Sequence, residues 1–179
     1  MAWNDSEDKT KIFLDKKISQ WAKNNPEFKK IHTNSKGGSD STQPDIEIFK
    51  KNKIIFNIEI KEDNSQIGQF VIIPDNSSKK FVLGDIKGNR LRTAKINEYM
   101  NKNFDNYNKP TTAGLVLGCS DKIIYDCIKN FLEEKNNRYI ACKIKETIKI
   151  IHYKKFIDFF SAKAIYRKKK SGSSPISNK

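Results

Sequence analysis

Gln43-Pro44-Asp45-Ile46-Glu47-Ile48, and then Ile54-Ile55-Phe56-Asn57-Ile58-Glu59-Ile60-Lys61, is the stretch whose reading decides the fold. The apolar runs Ile46–Phe49 and Ile54–Ile60 flank the polar break Lys50-Lys51-Asn52-Lys53, a pattern that predicts a hairpin-like pair of strands. Strand side chains alternate with period two, so Glu59 and Lys61 project to the same face. Ile54 and Ile55 are consecutive and apolar, which marks an interior strand covered on both faces. A carboxylate and an ammonium at the end of such a strand are costly to desolvate without partners. Asp45 opens the neighbouring strand and brings a second carboxylate beside Glu59.

Outward from this pair, Leu14, Ile18, Trp21 and Ala22 form a helical stripe between about Ser6 and Asn24, which Pro26 ends. Phe28–Thr33 reads as a short strand and 34–43 as a loop dense in Ser, Thr, Asn, Asp and Gly. Downstream, 66–73 fits either a short helix or a strand, Phe81–Leu83 a strand and 89–104 a helix. Thr112–Leu117 reads as a strand, followed by a helix capped by Ser120 with Ile123, Ile124, Cys127, Ile128, Phe131 and Leu132 on one face. Tyr139–Ile144 and Thr147–Tyr153 are strand candidates, and Lys155–Tyr166 a helix candidate. This order predicts a mixed α/β (α+β) chain with one central sheet: a single domain over 1–167 and a basic, Ser-rich tail over 168–179.

The chain has 179 residues, 35 Lys and Arg against 21 Asp and Glu, and a formal net charge of +14. Such an excess favours a polyanionic partner (DNA, RNA or an anionic membrane surface), although AT-rich codon usage alone also enriches Lys, Asn and Ile. Cys119, Cys127 and Cys142 are widely spaced without a CxxC pair, and His32 and His152 are not near them in sequence. That argues for reduced thiols and against zinc. The polar, acidic N-terminus and the lack of a long apolar run predict a soluble, cytoplasmic protein without a signal peptide.

Two carboxylates at the ends of adjacent strands can hold a hard divalent cation, with the Ile60 carbonyl as a further ligand. The cation would lower the pKa of a water and offset charge developing on a phosphate. Lys61 would orient the nucleophile and act as a fixed positive charge. Mg2+ suits the oxygen ligands, and Mn2+ could substitute. Pro44-Asp45 followed by Glu59-Ile60-Lys61 resembles the PD-(D/E)XK nuclease signature over roughly residues 6–75. The resemblance implies a restriction-endonuclease-like core, a central mixed sheet flanked by helices, with Asp45 and Glu59 as metal ligands and Lys61 as catalytic residue. It also implies an acidic residue from the first helix. Asp15 is the candidate, with Glu7 and Asp8 as alternatives that could equally complement the helix dipole. Family members place a glutamine near the active site after the Glu-x-Lys strand, a description that Gln66 and Gln69 fit; with Asn64 and Ser65 they are candidate DNA contacts, the alternative being a polar turn followed by an amphipathic segment.

Candidate DNA contacts follow from charge and backbone freedom. The loop carrying Lys36, Ser39 and Ser41 has glycines that would let amides approach a phosphate, or it is a plain surface loop. Lys87, Arg90 and Arg92 form a basic cluster entering a helix. Arg167, Lys168, Lys169, Lys170 and Ser171 could form an arm reaching into a groove or a solubilising tail. The motif G-x-x-x-x-G-K-[ST] is absent, so no nucleotide cofactor is expected. The leading expectation is a type II restriction endonuclease cutting double-stranded DNA as a homodimer. The alternatives are a structure-selective nuclease (a junction resolvase or repair nuclease) and a non-catalytic basic DNA-binding module.

Overall fold

The computed structural model describes residues 3–35, 43–62, 65–84, 90–109, 114–144, 147–167 and 174–178. In chain order the elements are α1 (Trp3–Asn24), β1 (Ile31–Ser35), β2 (Ile46–Lys50), β3 (Lys53–Glu62), β4 (Ile67–Asp75), β5 (Lys80–Leu83), α2 (Arg90–Lys102), α3 (Phe104–Tyr107), β6 (Leu115–Val116), α4 (Asp121–Glu134), β7 (Asn137–Ile144), β8 (Thr147–His152), α5 (Phe156–Phe159), β9 (Ala164–Tyr166) and β10 (Ser174–Asn178). They group into two compact units: residues 1–63 with 132–158, and residues 64–131 with 159–179.

The first unit holds a five-stranded sheet in the order β1-β2-β3-β7-β8. β3 lies at its centre, although Ile54 of the doubly apolar run is exposed and Ile55 half-buried, so that the strand is covered on both faces only from Asn57 to Lys61. It pairs antiparallel with β2 and parallel with β7, and the remaining pairs are antiparallel, so the sheet is mixed. Alternation sorts the central strands into two faces. Ile46, Ile48, Ile58, Ile60 and Ala141 pack with Leu14 of α1 into a buried core. Each fully buried isoleucine stabilises by roughly 1.5–3 kcal/mol, so this face carries much of the unit's stability. The opposite face carries Asn57, Glu59 and Lys61, all buried. The helical stripe of α1 is narrower than its sequence suggests: Leu14 is buried and Ile18 and Ala22 half-buried, while Trp21 is exposed.

The second unit holds a sheet in the order β5-β4-β10-β9-β6. It bears on three expectations. Residues 66–73, open between helix and strand, begin β4, entered through Gly68 at φ +67, a left-handed conformation that glycine adopts without strain. The helix expected over 155–166 is confined to α5, because Ala164 and Tyr166 alternate with Ile165 as a strand, paired with both β6 and β10. Finally, within the segment read as a basic tail, Ser174–Asn178 pairs between β4 and β9. Ser and Lys composition reads as tail, but two flanking strand edges supply hydrogen bonds that composition does not show.

Candidate active site

Asp45 immediately precedes Ile46, whose partner across the antiparallel pair is Ile58, so Asp45 arrives at the Glu59 end of β3. Its Oδ2 accepts a hydrogen bond from the Ile60 amide at 2.6 Å. Burial first, and then the neighbouring Glu59 carboxylate, push Asp45 from the usual 3.8 up to about 6; the Ile60 amide, Lys61 and Lys135 pull it the other way. Glu59 is 2 % exposed. Its Oε1 pairs with Lys61 Nζ at 2.9 Å. Its Oε2 accepts from Asn137 Nδ2 at 2.8 Å and lies 3.5 Å from Lys135 Nζ. The structure thus brings together Asp45, Glu59 and Lys61, as the strand alternation requires.

Lys135 and Asn137 join them from a direction that sequence reading does not reach. Lys135 lies on the turn between α4 and β7 and Asn137 opens β7, in the polar run Glu133-Glu134-Lys135-Asn136-Asn137-Arg138, which by itself reads as a connection. The turn is tied to β3: Asn57 Nδ2 donates to the Lys135 carbonyl at 2.6 Å and Asn57 N to the Asn136 carbonyl at 3.0 Å. Only the parallel pairing of β3 with β7, in which Asn57 stands beside Asn137, reveals this proximity. Cys142 stands opposite Lys61 on β7, and burial pushes its thiol up to about 11.

Asp15 is not part of this group. Its carboxylate bonds Lys11 at 2.8 Å and the Thr33 hydroxyl. Thr33 stands opposite Ile48, on the face that packs Leu14. Asp15 therefore lies across the sheet from Glu59, with the Thr33 hydroxyl and Lys11 as its partners. Of its alternatives, Asp8 is exposed on α1, and the Glu7 side chain lies outside the described residues. Ser65 and Gln66 begin the second unit and are half-buried. Gln69 lies in β4 opposite Ser177, and Arg90 and Arg92 open α2; of these three only the backbone is described. Arg167 is exposed after β9. Lys36, Ser39, Ser41, Asn64, Lys87, Lys168, Lys169, Lys170 and Ser171 lie outside the described residues.

The donor set fits a hard divalent cation. Two carboxylates close enough to raise the pKa of one of them gain from a cation between them, and the Ile60 carbonyl adds an oxygen of the same kind. Among the described residues no group of three or more His, Cys, Asp or Glu gathers, so a cation here would rely on two side chains, backbone and water. Among the described residues no helix is long and apolar enough to cross a membrane.

No family model and no curated protein matches the chain. Among solved structures, it is similar to HhaI endonuclease in complex with DNA, at 29% sequence identity and a TM-score of 0.73. The likeness covers 95% of this chain, which spans 61% of the length of that one. Together with the mixed sheet flanked by helices, this likeness matches the chain's fold to that of the PD-(D/E)XK nuclease superfamily. That is the class the Pro-Asp and Glu-x-Lys strands foreshadow.

Proposed function

We propose that the protein is a Mg2+-dependent endonuclease that hydrolyses DNA phosphodiester bonds, cutting both strands at a defined sequence, as a type II restriction endonuclease does. The observation that carries the reading is the convergence of Asp45, Glu59 and Lys61 on one buried sheet face, in a chain similar to an endonuclease that binds DNA. In this reading Asp45, Glu59 and the Ile60 carbonyl hold the cation. When bound, it supplies a water of lowered pKa and offsets charge on the scissile phosphate. Lys61, with its side chain 9% exposed, keeps its ammonium fixed by Glu59 and faces the negative charge that grows as the water oxygen bonds phosphorus. One ester P–O bond breaks, and the departing alkoxide takes up a proton.

DNA contacts are assigned chiefly to the second unit. It carries 16 Lys and Arg against 6 Asp and Glu, whereas the first carries 19 against 15. An open groove of about 600 Å³ in this unit is lined by Lys79, Lys80, Lys102, Asn97 and Asn101, with Leu83, Ala94 and Glu98, and Glu98 pairs with Lys102 at 2.7 Å; Lys79 and Lys80 are its candidates for contact with a sugar-phosphate backbone. A palindromic target would be met by a homodimer. Digestion of plasmid DNA tests the whole reading. Discrete fragments in Mg2+ and none in EDTA are expected. Preferential cutting of four-way junctions would favour the structure-selective alternative, and DNA binding without cleavage in any divalent cation would leave a binding module.

A further inference from the structure

The candidate site has a feature that stability alone does not account for. Asn57 and Asn137, side by side on β3 and β7, are 7% and 1% exposed, and the Oδ1 of each is buried without a hydrogen-bond partner among the described residues. A buried, unsatisfied carbonyl typically costs about 1–3 kcal/mol, so an amide at either position is a burden unless its other end is needed. Those other ends have defined targets. Asn137 Nδ2 grips Glu59 Oε2 at 2.8 Å, while Asn57 Nδ2 holds the carbonyl of Lys135 at 2.6 Å. Asn57 N also bonds the Asn136 carbonyl at 3.0 Å, and Asn136 adopts φ +52, a left-handed conformation that asparagine tolerates better than most residues. β3 therefore carries both the carboxylate and, two residues earlier, the clamp on the turn that delivers Asn137.

We propose that Asn137 is a positioning residue for Glu59, and Asn57 for Asn137, and that together they set the affinity of the site for a divalent cation. The inference rests on the nuclease reading above and deepens it. With Oε1 on Lys61 and Oε2 on Asn137, the Glu59 carboxylate is held in one rotamer before any cation arrives, so binding does not have to order it.

The test uses the full chain and Mn2+ alone. Mn2+ binding is followed by electron paramagnetic resonance without DNA, alongside the Mg2+ dependence of plasmid cleavage. Asn137→Ala is expected to weaken Mn2+ binding about tenfold and to raise the Mg2+ needed for half-maximal cleavage by the same factor. The rate at saturating Mg2+ should move less. Its melting temperature should stay near that of the wild type, because the orphaned carbonyl leaves with the grip; a merely structural amide would lower the melting temperature and leave cation affinity alone. If Asn137→Ala does not fold, Asn57→Ala is read in the same way, with a several-fold loss expected. Wild-type affinity in the folded variant overturns the inference and leaves the nuclease reading standing. Absence of Mn2+ binding by the wild-type chain, with no Mg2+-dependent cleavage, overturns both.

Discussion

At the scale of single residues, Asp45 has the most to say about pH. Its pKa rises from 3.8 to about 6 on folding, mainly through burial and then through Glu59. The native protein therefore binds more protons than the unfolded chain between pH 4 and 6, and Asp45 lowers stability progressively as pH rises through that window. Asp45→Asn removes the penalty while keeping an oxygen to accept the Ile60 amide. In EDTA the variant should be more stable than wild type at pH 8, by on the order of 2 kcal/mol, and no more stable at pH 3.5. Urea unfolding at the two pH values measures this, and a difference that does not grow with pH contradicts it. In the presence of a cation the sign reverses. Cation binding needs the carboxylate, so the Mg2+ required for half-maximal cleavage should rise about tenfold per pH unit below pH 6.

At the scale of elements, β3 explains both what the sequence discloses and what it hides. Its apolar run and its Glu-x-Lys end are local signals, so the central position, the two faces and the trio Asp45, Glu59 and Lys61 can be read from residues 43–61. Lys135 and Asn137 cannot, because they depend on a parallel pairing between segments almost 80 residues apart, and no local pattern encodes its register. Likewise Asp15 shows a charge beside an apolar stripe but not which face of the sheet receives it. The short strands β9 and β10 exist because neighbouring edges accept them, which neither helical periodicity nor Ser and Lys composition reveals. The two faces of β3 also separate in their effects. Ile58→Ala on the core face should cost about 2–5 kcal/mol, seen as a lower urea midpoint. Lys61→Ala on the other face should abolish cleavage while the protein still binds DNA. An Ile58 variant of wild-type stability would mean that the core is misassigned.

At the scale of the whole molecule, chemistry and charge are divided. The first unit holds the carboxylates and is close to charge balance; the second holds most of the excess positive charge. Replacing Lys79, Lys80 and Lys102 by alanine should therefore weaken DNA binding and reduce the slope of log K against log salt by about 0.9 for each phosphate no longer neutralised. Fluorescence anisotropy in Ca2+ measures the slope, and an unchanged one would move the DNA-binding surface elsewhere. The central claim is that one buried face, built from Asp45, Glu59 and Lys61, cuts DNA. Its most direct test is plasmid cleavage in Mg2+ by wild type, Asp45→Asn and Lys61→Ala, beside DNA binding by the same three proteins in Ca2+. The account predicts cleavage by wild type alone, with all three binding DNA. Undiminished cleavage by both variants would contradict it.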